Sequence, residues 1–128
     1  MDDGKFEIAN APDGSRCWAF SNYLYFAVHD YFCKRLEGKV RLEWTILDEG
    51  EGTIQLQYDS LDSSAPENGA YKNAGPAIQL GNSGQWRTMT SLLEDAKFSK
   101  RENEGTDFRF YTAGGKGCIK EVRLIRVK

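Results

Sequence analysis

The stretch VRLEWTILDEGEGTIQLQYDS, residues 40–60, decides the fold of this chain. Every second residue in each half is apolar, and these positions are Val40, Leu42, Trp44 and Ile46, then Ile54, Leu56 and Tyr58. A period of two over this length indicates half-buried strands. The join, Asp48–Gly52, contains two glycines that tolerate the positive φ a hairpin loop needs. The stretch therefore predicts a β-hairpin whose apolar face must be covered by a second sheet.

Short segments with strand character continue on both sides of this hairpin. Strands are predicted at Phe6–Ala9, Tyr23–Val28, Ala77–Leu80, Trp86–Leu92, Asp107–Tyr111 and Cys118–Val127, and a strand or an aromatic loop at Ser15–Phe20. Broken alternation in the last segment predicts a bulge. Residues 29–35 are expected to form one helical turn or an irregular cover, and residues 94–98 one turn of helix. Many short strands without a long helix predict an all-β fold, an antiparallel β-sandwich.

The size and charge of the chain narrow its class. Its 128 residues fit a single domain, residues 1–128, with a core of ordinary size. The net charge of −2, with basic residues scattered along the chain, argues against a nucleic-acid partner, because neutralising phosphates needs a surplus of Lys and Arg. No apolar run is long enough to span a bilayer, so no membrane partner is expected.

The amino-terminal residues and the cysteines leave the cellular compartment open. Residues 1–4, MDDG, carry no signal-peptide pattern, so the chain is expected to be intracellular or an excised part of a larger protein. The chain has an odd number of cysteines, Cys17, Cys33 and Cys118, and none of them forms a CxxC pattern. The cysteines therefore indicate neither a disulfide framework nor a zinc site. Three buried thiols are the favoured interpretation, and one pair formed in an oxidising compartment is the alternative.

Four segments resemble a known type of domain. They are LYFAVHDYF (24–32), the stretch at 40–60, LGNSGQWRTMTSLLEDAKFSKRENEGTDFRFY (80–111) and IKEVRLIRV (119–127). Together they resemble the carbohydrate-binding-module β-sandwiches that are appended to bacterial glycoside hydrolases and other secreted polysaccharide-active enzymes. The resemblance covers the chain from about Tyr23 to Val127.

The resemblance implies a galactose-binding-like jelly roll that binds a polysaccharide or oligosaccharide. It further implies a monomeric module, located extracellularly, that is covalently linked to a catalytic domain and directs that parent enzyme to glycan. The alternative is a structural or interaction β-sandwich with no sugar site, which packs on a neighbouring catalytic domain.

Catalytic residues are not indicated by the sequence. The one histidine, His29, follows a strand and fits a structural or surface position better than a catalytic base. The motifs GxSxG, P-loop and HExxH do not occur. Carboxylates are plentiful, but most of them occupy turns or solvated positions, where the carboxylate pair of a glycosidase is not expected. The chain is therefore predicted not to be an enzyme, with a small glycan-active hydrolase as the remaining alternative.

Sugar binding needs aromatic rings for the apolar faces of pyranoses and planar polar side chains for their hydroxyls. One surface that offers both is the irregular loop at residues 61–75, which contains Tyr71 and Asn73. Loops on a rigid scaffold commonly carry function. Two tryptophans outside the hairpin, Trp18 and Trp86, are further candidates, for which core packing is the alternative.

The polar face predicted for the hairpin is the second candidate surface. Arg41 and Glu43 are expected to face the same way as Gln55, Gln57 and Asp59, beside Tyr23 and Tyr25; a plain solvated face is the alternative. The candidate carbohydrate-binding residues from both surfaces are Trp18, Tyr23, Tyr25, Gln57, Asp59, Tyr71, Asn73 and Trp86.

A structural calcium ion is implied by the resemblance, because such jelly rolls often hold one near the first and last strands. Glu7 and Glu121 occupy roughly those places. Calcium takes six to eight oxygen ligands, so two carboxylates identify only part of a site. The alternative is that Glu121 pairs with its neighbours Lys120 and Arg123.

Overall fold

The computed structural model describes residues 6–34 and 39–127. These residues form one short α-helix, α1 (Asp30–Lys34), two short 3-10 helices (Pro66–Gly69 and Asn103–Gly105) and ten strands: β1 (Phe6–Asn10), β2 (Arg16–Phe20), β3 (Tyr23–Phe26), β4 (Val40–Leu47), β5 (Thr53–Tyr58), β6 (Lys72–Asn73), β7 (Ile78–Gln79), β8 (Trp86–Leu93), β9 (Phe108–Ala113) and β10 (Gly117–Arg126). Every predicted strand is present, and the prediction missed only the two-residue β6. Residues 94–98 form a non-helical turn instead of the predicted helical turn. None of the described helices has the length and apolar character needed to cross a membrane.

The strands form two antiparallel sheets. The larger sheet has the order β1-β2-β10-β4-β8. The smaller sheet has the order β3-β9-β5-β6, and β7 also pairs with β5. The two sheets pack their apolar faces together, which confirms the all-β sandwich predicted from the alternation.

The predicted hairpin at residues 40–60 is wrong. Strand β4 pairs with β10 and β8 in the larger sheet, whereas β5 pairs with β9, β6 and β7 in the smaller one. The apolar alternation of the two strands is real, but their apolar sides meet across the core instead of lying side by side. The join crosses from one sheet to the other, and it is tied down by Asp48, whose carboxylate accepts hydrogen bonds from Gly81 N (2.6 Å) and Ser83 Oγ (2.7 Å).

Aromatic side chains fill the middle of the sandwich. Phe108 and Phe110 from β9 are almost fully buried, and their rings pack edge to face. The Trp44 ring from β4 lies 4.9 Å from that of Phe110, so the two sheets touch through these rings. Burying each such side chain stabilises the fold by about 1.5–3 kcal/mol. The core therefore forms from the inward side of the same alternation that sends polar residues outward.

The last strand, β10, contains a bulge that the sequence predicted and a disulfide that was not the favoured interpretation. The register between β10 and β4 shifts between Ile119 and Glu121, which confirms the predicted bulge. Cys118 of β10 forms a disulfide with Cys17 of β2, so the favoured interpretation of three unpaired thiols is wrong; Cys33 is free. The pair is 101 residues apart in sequence, and its two Cα atoms lie 5.8 Å apart on the paired strands β2 and β10.

A sheet-face pocket under two loops

Polar and aromatic side chains form two rows across the outer face of the smaller sheet. In the first row, Tyr25 of β3, Arg109 of β9, Gln57 of β5 and Asn73 of β6 are register partners. In the second row, Tyr23, Tyr111 and Gln55 are aligned in the same way. Because alternate residues of a strand face opposite sides, both rows point away from the core.

Arg109 is the centre of the first row. Its Nε donates to Gln57 Oε1 at 2.8 Å, and its Nη1 donates to the Tyr25 hydroxyl at 2.9 Å. Its guanidinium carbon lies 4.2 Å from the centre of the Tyr23 ring and 3.9 Å from that of Tyr71. Contacts of this kind combine cation–π attraction with stacking of the flat guanidinium. Arg109 is therefore held in one orientation by four neighbours.

Tyr71 reaches this row from the loop that precedes β6. Its hydroxyl accepts a hydrogen bond from Asn103 N at 2.8 Å, so the loop at residues 61–75 touches the loop at residues 99–107. Between these loops and the outer face of the sheet lies an open pocket of about 800 Å³, lined among others by Tyr25, Gln57, Tyr71, Glu102 and Arg109. We call it the sheet-face pocket.

Asp59 fixes both loops from beneath. It is fully buried, and its carboxylate accepts hydrogen bonds from Arg101 Nε (2.8 Å) and Ser99 N (2.8 Å). The same Arg101 side chain donates to the carbonyl of Asn68 in the other loop and to that of Ser60, which directly precedes that loop. One buried carboxylate thus neutralises one arginine that joins the two walls of the pocket.

A second buried carboxylate, Asp107, anchors the 99–107 loop. It forms an ion pair with Lys100 Nζ and accepts a hydrogen bond from Val28 N at 2.6 Å. Lys100 has a φ of 64°, a left-handed conformation that non-glycine residues seldom adopt. The ion pair and the Lys100 N–Asp107 Oδ1 hydrogen bond (3.0 Å) hold the loop in this conformation.

Glu102 lines the pocket, and its buried carboxyl group has no hydrogen-bond partner among the described residues. The residue is 3% exposed, and neither carboxyl oxygen has a hydrogen-bond partner within the described chain. Burial raises the pKa of Glu102 to about 9, although the nearby positive charge of Arg109 acts in the opposite direction. The carboxyl is therefore neutral at pH 7.

The structure unites the two surfaces that the sequence suggested separately. Tyr23, Tyr25 and Gln57 lie on the outer face of the smaller sheet, and Asn73, which was predicted to belong to the loop surface, is the register partner of Gln57 there. The Tyr71 ring of the loop stacks on the guanidinium of Arg109, which lies on the same face. The two candidate surfaces therefore meet at Arg109.

Three other candidate residues do not join this group. Trp18 packs edge to face on Phe26 at 5.4 Å and lies against the core. Asp59 is fully buried beneath the loops, so it cannot contact a ligand in this conformation. Trp86 lies in β8 of the larger sheet, where its Nε1 donates to Asp13 and Lys120 Nζ lies 4.3 Å from its ring.

The polar face expected for the hairpin is also corrected. Arg41 and Glu43 belong to β4 in the larger sheet, whereas Gln55 and Gln57 belong to β5 in the smaller one. Because the two strands belong to different sheets, their polar sides face opposite directions.

Sequence reasoning missed Arg109 and Glu102. Arg109 stands between Phe108 and Phe110, so the inward alternation of the two phenylalanines already requires it to point outward. Glu102 lies in the run KRENEG, which reads as solvated, and no local pattern marks it as buried. Its burial results from the folding of the 99–107 loop onto the sheet.

Glu7 and Glu121 do not form a recognisable calcium site. Both residues are exposed, and Glu121 Oε1 lies 3.9 Å from Arg123 Nε. Among residues 6–34 and 39–127, no group of three or more His, Cys, Asp or Glu side chains is placed to hold a metal ion. These donors do not fit the six to eight oxygens that calcium takes, and calcium binding stays a prediction.

The fold is that of a carbohydrate-binding-module β-sandwich. A xylan-binding domain of family 22 from Paenibacillus barcinonensis superposes with a TM-score of 0.57, covering 97% of this chain and 83% of that one at 12% identity. The C-terminal family 6 module of LamC, a marine laminarinase from Zobellia galactanivorans, superposes with a TM-score of 0.54, covering 94% and 88% at 12% identity. A further family 6 carbohydrate-binding module gives 0.50, covering 95% and 82% at 13% identity.

These solved structures are carbohydrate-binding modules, which is consistent with the prediction that the chain is not an enzyme. No protein-family model and no curated protein sequence matches the chain. At such low identity the likeness establishes the fold, and the function has to be argued from the site.

Proposed function

We propose that this domain is a non-catalytic carbohydrate-binding module whose sugar site is the sheet-face pocket. The observation that carries the proposal is the convergence of Tyr25, Tyr71, Gln57 and Arg109 on one open pocket. Aromatic rings beside amide and guanidinium groups supply what a pyranose needs, namely contact for its apolar C–H groups and in-plane partners for its hydroxyls. The structural neighbours support this proposal, since they include a xylan-binding domain.

The contacts of Arg109 decide how such a site works. The guanidinium lies over the rings of Tyr23 and Tyr71, so those rings already stack on a protein group. A sugar would therefore meet mainly polar edges: the Tyr25 hydroxyl, the amides of Gln57 and Asn73, and the guanidinium itself. Gln57 Nε2 donates to Asn73 Oδ1 at 2.8 Å, which orients both amides before a ligand arrives. This preorganisation reduces the entropy cost of binding.

The same proposal includes a larger parent protein. A module of modest affinity that is linked to a polysaccharide-degrading enzyme raises the effective concentration of that enzyme on its substrate. One structural neighbour is the C-terminal module of a laminarinase, which supports this arrangement. The Cys17–Cys118 disulfide supports an extracellular location, because disulfides persist in oxidising compartments.

Affinity electrophoresis of the domain on xylans, glucans, mannans and pectins tests the proposal. Retardation on at least one glycan is expected, and Tyr71→Ala and Gln57→Ala are expected to reduce it. Trp86→Ala is the matched control, because Trp86 is a half-buried aromatic residue on the other sheet. Melting curves show whether each variant is folded.

If a folded sample is retarded by no glycan, the sugar-binding proposal is overturned. The alternative, a β-sandwich that packs on a neighbouring catalytic domain, would then take its place. If Trp86→Ala abolishes retardation and Tyr71→Ala does not, the module binds sugar at the larger sheet and the sheet-face pocket is the wrong site.

A further inference from the structure

Within the described chain, Arg109 is a cation without a counter-ion. In the described chain no carboxylate lies within ion-pair distance of its guanidinium, although the side chain is half-buried. Its partners are instead the amide of Gln57, the hydroxyl of Tyr25 and the rings of Tyr23 and Tyr71. Partial burial of an unpaired charge costs free energy, so the fold holds this group in place without using it for an ion pair.

The other charged groups beneath the pocket are already paired or neutral. Asp59 pairs with Arg101, and Asp107 pairs with Lys100. The remaining buried acid, Glu102, forms no ion pair or hydrogen bond through its carboxyl, and its burial keeps it protonated at pH 7. The positive charge of Arg109 is therefore left for a ligand.

The guanidinium fork of Arg109, which lines the pocket, is only partly used by its hydrogen bonds within the described chain. Its hydrogen bonds to Gln57 and Tyr25 use Nε and one N–H of Nη1. In the described chain Nη2 donates to no protein group, so the Nη1–Nη2 end of the guanidinium retains N–H donors. An arginine whose fork is held rigid suits a planar carboxylate, to which it donates two parallel hydrogen bonds.

We infer that the sheet-face pocket selects glycans that carry a carboxylate, and that Arg109 is the residue that binds this group. The inference rests on the proposed function and gives it a substrate class, the uronate-containing polysaccharides. Tyr25 and Gln57 act as positioning residues, because they orient the guanidinium. The neutral hydroxyls of the same sugar residue then meet the amides of Gln57 and Asn73.

One acidic residue at the rim of the pocket, Glu67, repels an anionic ligand. Glu67 is an exposed acidic residue at the edge of the pocket. Its repulsion is screened by solvent and salt, since exposed charges interact weakly across water. Glu67→Gln is therefore expected to strengthen binding of a polyuronate by less than about threefold at low salt, with no effect at 0.5 M salt.

Matched pairs of polymers test the inference. Calorimetry compares polygalacturonate and glucuronoxylan with the same polymers after chemical reduction of their carboxyl groups, which keeps the backbone and removes the charge. We expect the reduced forms to bind about 10–100-fold more weakly, the range of a charge-assisted bidentate pair. Dextran sulfate serves as a probe of charge alone.

Matched variants locate the effect. Arg109→Gln removes the charge and the fork, and Arg109→Lys keeps the charge without the fork. Arg123→Gln is the control, because Arg123 is an exposed arginine of the larger sheet. We expect Arg109→Gln to abolish the preference for the carboxylate form, Arg109→Lys to retain a small part of it, and Arg123→Gln to leave it unchanged. Melting curves confirm folding of each protein.

Each other outcome overturns a different statement. Equal binding of the native and the carboxyl-reduced polymers overturns the carboxylate inference and leaves the proposed function standing. Absence of binding to every polymer overturns both. Dextran sulfate binding as tightly as polygalacturonate overturns recognition of a carboxylate in favour of bare charge. Equal losses in Arg109→Gln and Arg123→Gln overturn the assignment to Arg109.

Discussion

The outer faces of the two sheets have the same kind of polar alternation but differ in how their charges are held. On the larger sheet, Glu43 lies 3.8 Å from both Arg41 and Arg123, in exposed pairs of the kind that contribute little to stability. On the smaller sheet, Arg109 has hydrogen bonds of 2.8 and 2.9 Å and a ring within 4 Å. One face is a solvated surface, and on the other the contacts of Arg109 hold the polar side chains in place.

The difference comes from two loops that, among the described residues, form a third layer over the smaller sheet. The loops at residues 61–75 and 99–107 fold over the smaller sheet and are joined by the Asp59–Arg101 pair. They bring Tyr71 onto Arg109 and bury Glu102. A polar strand face becomes a site when loops restrict its side chains and exclude part of the water.

Removing the disulfide is expected to have the largest effect on stability and none on the site. The bond joins β2 and β10 of the larger sheet across 101 residues of sequence. For a loop of this length, Cys17→Ala with Cys118→Ala is expected to lower the free energy of unfolding by about 4 kcal/mol. Urea unfolding measures the loss, and calorimetry with the bound glycan measures affinity. Loss of affinity in the folded variant would show that the two faces are coupled.

Replacing Asp59 is expected to weaken both stability and binding. Asp59→Asn leaves Arg101 without its counter-charge, at a cost of about 2–4 kcal/mol because Arg101 itself is partly exposed. The control, Asp13→Asn, removes an exposed carboxylate that accepts a hydrogen bond from Trp86 on the other sheet, and a much smaller loss of stability is expected. Urea unfolding of both variants compares them. Equal losses would contradict the special role given to the loop layer.

The buried carboxyl group of Glu102 makes the free energy of unfolding depend on pH. Folding raises the pKa of Glu102 from 4.5 to about 9, so the folded state binds a proton that the unfolded state releases above pH 4.5. The contribution of this group is fully present below pH 4.5 and is lost as pH rises toward 9, by at most about 1.4 kcal/mol per pH unit. Arg109, Asp59 and Asp107 set the field around it.

Glu102→Gln tests this dependence because it keeps the size of the side chain and cannot ionise. The variant is expected to gain stability over the original chain between pH 5 and pH 8, by a few kcal/mol at most. Urea unfolding across that range gives the comparison. Parallel curves for the two proteins would mean that Glu102 leaves its buried position when it ionises.

The smallest expected effect compares one polar residue on each face. Gln57→Ala removes a hydrogen bond that orients Arg109 and is expected to weaken glycan binding about fivefold to tenfold, the equivalent of one net hydrogen bond. Glu43→Ala on the larger sheet is expected to leave binding unchanged. Titration calorimetry measures both. A loss in Glu43→Ala that matches Gln57→Ala would remove the distinction between the faces.

The outward direction of several side chains on the smaller sheet can be predicted from the sequence alone. Tyr23 and Tyr25 alternate with Leu24 and Phe26, so their outward direction follows from the period of a strand. Tyr71 in an irregular loop was a reasonable candidate for the same reason that loops carry function. The partners of these residues were less predictable, because nothing local shows that Arg109 stands between them.

The sequence by itself determined the strands, their inward and outward sides and the sandwich class, because each depends on neighbours one or two residues away. The tertiary structure decided which strands pair. It placed β4 and β5 in different sheets, joined Cys17 to Cys118, and laid two loops over one face. These are contacts between residues far apart in the chain, and local alternation is the same whichever partner a strand takes. The stretch at residues 40–60 thus specified two strands, while only packing decided that they face each other across the core.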